Sequence, residues 1–69
     1  MIKIYSVNRT PQWTGEHEVH SQDCRFLPAP ENRIFLGWFD NSRDAVNEAR
    51  KHFYFVDGCY YCCLESHKR

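Results

Sequence analysis

The stretch Asp57-Gly58-Cys59-Tyr60-Tyr61-Cys62-Cys63-Leu64-Glu65-Ser66-His67 holds three of the four cysteines of the chain. Two residues separate Cys59 from Cys62. The remaining cysteine, Cys24, has His20 four positions ahead of it. Ligands three or four residues apart can share one metal without distorting a turn, and two such pairs of soft donors suit tetrahedral zinc. The stretch therefore reads as a turn clamped through a zinc ion to a distant part of the chain, with His20, Cys24, Cys59 and Cys62 as the ligands. Asp57-Gly58, just ahead of Cys59, reads as the tight turn that closes the preceding segment.

A staple is what a chain of this size needs. Sixty-nine residues make one domain, and a domain so small buries too little surface to be stable without a disulfide, a metal or a partner. Residues 1–5 show no apolar run long enough for a secretory leader, and no stretch reaches transmembrane length. The expected setting is a reducing cytoplasm, where cysteines serve as metal ligands or buried thiols; in a secreted chain the even count would read as two disulfides, the competing reading. Hydrophobic residues make up 42% and aromatics 16%, which excludes a disordered chain. Nine acidic residues balance nine basic ones, so a purely electrostatic nucleic-acid binder is excluded, while a local basic patch is not.

Outward from the cysteines, the periodicities predict an α+β fold: a three-stranded antiparallel sheet with one helix packed on it. Residues 2–7 alternate, with Lys3, Tyr5 and Val7 on one face and Ile2, Ile4 and Ser6 on the other. Residues 16–20 form a short second strand, and residues 21–24 a turn that carries Cys24. Residues 33–39 are apolar on both faces, as in a central strand covered by a helix, and Gly37 marks a bulge or a close backbone approach. Asn41 or Ser42 caps a helix whose inner face is Ala45, Val46, Ala49 and Phe53. Trp13, alone in its loop, is expected to lie over the core.

Two further residues compete for the metal. Cys63 and His67 also have ligand spacing, so Cys59, Cys62, Cys63 and His67 could form a local site. The alternative reading makes Cys63 a core thiol and His67 a tail residue. A histidine ligand needs an acceptor for its second ring nitrogen, and Glu18 and Asp23 are near in sequence.

The order His-x3-Cys, Asn32-Arg33-Ile34-Phe35, Ser42, Ala45, Ala49, then Gly58-Cys59-x2-Cys62 resembles the small zinc modules related to the N-terminal domain of the Ada DNA-repair protein. The resemblance spans residues 20–62. It implies a structural zinc site and contact with nucleic acid. In that family the first ligand is a cysteine that accepts a methyl group; here the position is His20, which has no thiolate, so methyl transfer is not expected.

No catalytic constellation accompanies the cysteines. Neither a phosphate-binding loop nor a base with an orienting third group is present, and four ligands leave zinc no open position. The expected role is a non-enzymatic zinc module that binds nucleic acid or a nucleic-acid-processing protein. Arg25 and Arg33 would contact the backbone, helped by Arg43, Arg50, Lys51, Lys68 and Arg69, and Tyr60 and Tyr61 would stack on bases. The alternative is a metal-free protein-interaction module, an adaptor or inhibitor with buried thiols, anchored by Trp13, Tyr54, Tyr60 or Tyr61. No small-molecule substrate is indicated.

Overall fold

The alternating first residues form a strand that takes an inner place in the sheet. The computed structural model describes residues 1–68; Arg69, one of the expected cationic contacts, lies outside the described residues. Strand β1 is Lys3–Asn8, β2 His17–Ser21 and β3 Arg33–Phe39; helix α1 is Ser42–Ala49; strand β4 is Val56–Gly58. The sheet order is β3-β1-β2-β4. β1 runs antiparallel to both its neighbours, pairing Tyr5 with Ser21 and Val7 with Val19 on one side and Lys3 with Phe39 on the other. β4 runs parallel to β2, with His17 opposite Val56 and Val19 opposite Gly58.

The side chains that point the same way along β1 and β2 build the core. Tyr5, Val7, Val19 and Leu36 meet Ala45, Val46 and Ala49 of α1, with Cys63 among them. Val7 and Val19 are wholly buried, each contributing about 1.5–3 kcal/mol. The two alanines let the helix lie close to the sheet. Asn41 caps α1: its Oδ1 accepts the Asp44 N–H at 3.0 Å, satisfying one of the free donors of the first turn.

Five expectations need correction. The sheet has four strands and is mixed, not three and antiparallel. Asp57-Gly58 belongs to β4, whose three residues are too few to show a period and whose partner lies far away in sequence. β3 is an edge strand and not a central one; its outer aromatics, Phe35 and Trp38, are 62% and 65% exposed. Trp13 covers nothing and is 95% exposed, since its turn, closed by Gly15 N–H to the Gln12 carbonyl at 2.8 Å, swings it away from the core. Helix α1 ends before Phe53, which still packs against the core and stacks its ring on His17 with centroids 3.6 Å apart.

Gly37 does mark a bulge. Tyr5 faces Gly37 and Ser6 faces Phe35, so Leu36 is one residue in excess of its partner strand. The φ of Gly37 is +126°, a conformation that other residues resist. Among the described residues, no helix is long and apolar enough to cross a membrane.

Candidate metal centre

Two similar turns carry the cysteines. In the first, Cys24 N–H donates to the Ser21 carbonyl at 3.1 Å, and the chain then folds back so that Phe26 N–H points at Cys24 Sγ at 3.4 Å. In the second, Cys63 N–H donates to the Cys59 carbonyl at 2.8 Å, and Tyr61 N–H points at Cys59 Sγ at 3.4 Å. Each cysteine thus receives the backbone N–H of the residue two places on. A third such donor, Ser21 N–H, reaches Cys62 Sγ at 3.3 Å. Backbone N–H groups aimed at sulfur favour the thiolate, the form that binds metal.

The sheet brings the turns together. Cys59 N–H donates to the Val19 carbonyl at 3.0 Å, extending the β2–β4 pairing and placing Cys59 beside His20. Gly58 makes this approach possible. A Cβ there would collide with Ser66 Oγ and come within 2.9 Å of the Cys63 carbonyl oxygen. The 3-10 turn Leu64–Ser66 packs under the second turn, where Ser66 Oγ donates to the Cys63 carbonyl and meets Ser42 Oγ at 2.8 Å.

One ligand atom from each of His20, Cys24, Cys59 and Cys62 lies within 4.8 Å of all the others. Cys24 Sγ is 3.9 Å from Cys59 Sγ, and Cys62 Sγ is 4.0 Å from His20 Nδ1. Ligands about 2.3 Å from a shared tetrahedral centre stand about 3.8 Å apart, so three sulfurs and one imidazole nitrogen fit a zinc-sized ion. His20 and Cys59 are buried, whereas Cys24 and Cys62 are half-buried.

His20 presents Nδ1 to the sulfurs and turns Nε2 to Glu18 Oε1 at 3.5 Å. Glu18 therefore occupies the place of the acceptor that orients a ligating imidazole. Burial raises its carboxyl above the usual range. Asp23, the other acceptor considered, is turned to Ser21 Oγ at 2.6 Å and to Lys3. Burial also raises the Cys24 thiol and pushes the Cys59 thiol up to about 12, so without a cation these sulfurs hold their protons at neutral pH.

Cys63 and His67 are not in this group. Cys63 is 1% exposed and packs in the core, although its sulfur stands 3.5 Å from that of Cys62. His67 is more than a tail residue: its Nδ1 lies 2.9 Å from the Gly58 carbonyl and 3.2 Å from Asp57 Oδ2, tying the C-terminal segment to β4.

The four residues expected to contact a partner are dispersed. Arg25 and Tyr61 line one shallow depression beside Cys24 and Cys62, together with Lys3 and Asp23. Arg33 lies in a separate depression with Ile4, Pro30 and Phe35, and donates through Nη1 to the Pro28 carbonyl at 2.6 Å. Tyr60 turns towards His67, ring centroids 5.4 Å apart. Sequence reasoning missed Phe26, whose ring packs on Tyr61 at 4.7 Å and bridges the two turns. Its signal was present: an aromatic residue follows both Cys24 and Cys59 at the second position.

Comparison with protein-family models, with curated proteins and with solved structures finds no match for this chain.

Proposed function

We propose that the chain is a small binding module stapled by a structural zinc ion held by His20, Cys24, Cys59 and Cys62. The observation that carries this reading is the convergence of four ligand atoms, from two turns far apart in sequence, at tetrahedral spacing. Four protein ligands leave no position for water or substrate, so the ion's role is to hold the fold together, and the module is not an enzyme. The His20/Cys24 and Cys59/Cys62 order also supports kinship with Ada-like zinc modules, without their methyl-accepting cysteine.

Native mass spectrometry of the reduced protein tests the staple. One zinc per chain, lost on acidification together with the fold, is the expected result; a folded, metal-free chain overturns it. Replacing zinc by cobalt(II) gives a second readout, because three thiolates produce intense charge-transfer absorption that Cys59→Ser would weaken.

The partner class we propose is nucleic acid, engaged beside the staple. Arg25 and Tyr61 line the depression next to Cys24 and Cys62, which puts a cation and a 69% exposed ring on one surface; Lys3, in the same depression, is paired with Asp23 at 3.4 Å. Binding to single- and double-stranded oligonucleotides, measured across salt concentrations, should weaken with salt and be lost in Arg25→Glu. Flat curves with both kinds of strand would remove this partner class and leave the staple untouched.

A further inference from the structure

The longer edge strand of the sheet supports an inference independent of the metal. The two edges differ. β4 is three residues long and covered by the 3-10 turn Leu64–Ser66, whereas β3 is seven residues long. Among the described residues, no backbone hydrogen bond is made to the outer side of β3. Edge strands are ordinarily blunted by proline, by charge, by shortness or by a bulge. β3, Arg33-Ile34-Phe35-Leu36-Gly37-Trp38-Phe39, is long and has neither proline nor lysine; its charge is confined to Arg33 at one end, and its one irregularity is the bulge at Leu36.

We propose that β3 is a self-pairing surface: two copies of the chain join antiparallel, β3 against β3 across a two-fold axis, into one continuous sheet. An isologous contact requires a surface that complements itself, and β3 does so in one particular register. Centring the axis between Leu36 and Gly37 sets Arg33 opposite Asp40 of the second copy, Ile34 opposite Phe39, Phe35 opposite Trp38 and Leu36 opposite Gly37. The two charges at the ends of the strand then meet with opposite sign, twice. Asp40, its side chain 76% exposed, meets the Met1 ammonium through Oδ1 at 3.5 Å, so Arg33 of the second copy would compete with or join that ammonium, while Arg33 itself gives one guanidinium nitrogen to Pro28.

The bulge is what makes this register work. In a regular strand, residues three apart point to opposite faces. The extra residue at Leu36 restores Phe35 and Trp38 to one face, opposite Ser6 and Ile4, where both are exposed. It likewise brings Ile34 and Phe39 to the other face, where both pack against the core. Cross-strand pairing would therefore join exposed ring to exposed ring and core residue to core residue. A formal net charge of zero offers no overall repulsion between copies.

The test is sedimentation equilibrium of the purified protein from low micromolar to near-millimolar concentration, with charge swaps. The wild-type chain should show a monomer–dimer equilibrium. Arg33→Asp and Asp40→Arg should each weaken the dimer at least about tenfold, because each places two like-charged pairs across the strands. The double swap, Arg33→Asp with Asp40→Arg, should restore it. Circular dichroism and thermal unfolding confirm that each variant is folded; if Arg33→Asp fails that check, Asp40→Arg and Trp38→Ala, both at exposed positions, carry the test. A chain monomeric at every concentration overturns the proposal, whether or not β3 accepts a strand from another protein. So does a dimer indifferent to Asp40→Arg and Trp38→Ala, or a double swap no stronger than the single ones.

Discussion

Glu18 and His20 stand on the same face of β2, two residues apart, and their side chains meet with Oε1 3.5 Å from Nε2. This leaves Nδ1 as the nitrogen turned to the sulfurs. A carboxylate that accepts the second ring N–H fixes the tautomer and the ring plane and raises the basicity of the ligating nitrogen. Glu18→Gln should keep the fold but lower zinc affinity about 10- to 100-fold, measured by competition with a chromophoric chelator. An unchanged affinity would mean that His20 is oriented by its burial alone.

The thiols set the pH dependence. In the metal-free chain, burial holds the Cys59 thiol at about 12, whereas an unfolded cysteine titrates near 8.5. From roughly pH 8.5 up to 12 the unfolded chain has released a proton that the folded chain retains, so the metal-free fold should lose stability as pH rises through that window. Zinc reverses the requirement, because the ligands must be deprotonated. Uptake should release protons into a weakly buffered solution, and affinity should fall as pH is lowered. Urea titrations at several pH values, with and without zinc, would show the two opposite trends.

Gly58 is fixed by its surroundings and not by its dihedral angles. A methyl group there meets Ser66 Oγ and the Cys63 backbone. Gly58→Ala should destabilise the protein by about 1–3 kcal/mol, the usual cost of overpacking, and loosen the second cysteine turn. Chemical denaturation in the presence of zinc measures the first effect and metal off-rate the second. Gly15→Ala is not an adequate control, because the φ of Gly15 is +94°.

Trp13 supplies a control of the opposite kind. With its side chain in solvent, Trp13→Ala should change stability by less than about 0.5 kcal/mol in thermal or chemical unfolding. A larger loss would place the indole over the core after all.

Much of this arrangement was legible in the residues because it is local. The alternation of Tyr5 and Val7 located β1, the spacing of Ala45, Val46 and Ala49 located α1, and the spacing within each cysteine pair pointed to residues that the fold then brings within 4.8 Å. What escaped reading was non-local. β4 exists because Asp57 and Gly58 lie along β2, and three residues carry no periodicity of their own. The edge position of β3 was hidden by its composition, since a strand apolar on both faces looks central when no pairing is known. The role of Phe26 depends on Tyr61, which is remote in sequence and near only after the turns close.

The cysteine turns lie on either side of the segment between Leu27 and Ala29, so a cut there would separate the two halves of the ligand set. A cut there yields one piece carrying β1, β2, His20 and Cys24, and another carrying β3, α1, β4, Cys59 and Cys62. Each piece brings half of the coordination sphere, so zinc would act as an assembly factor for a two-fragment protein. Mixed in its presence, the fragments should reconstitute one another; with a chelator only the β1–β3 ladder and the shared core would hold them, and their association should weaken.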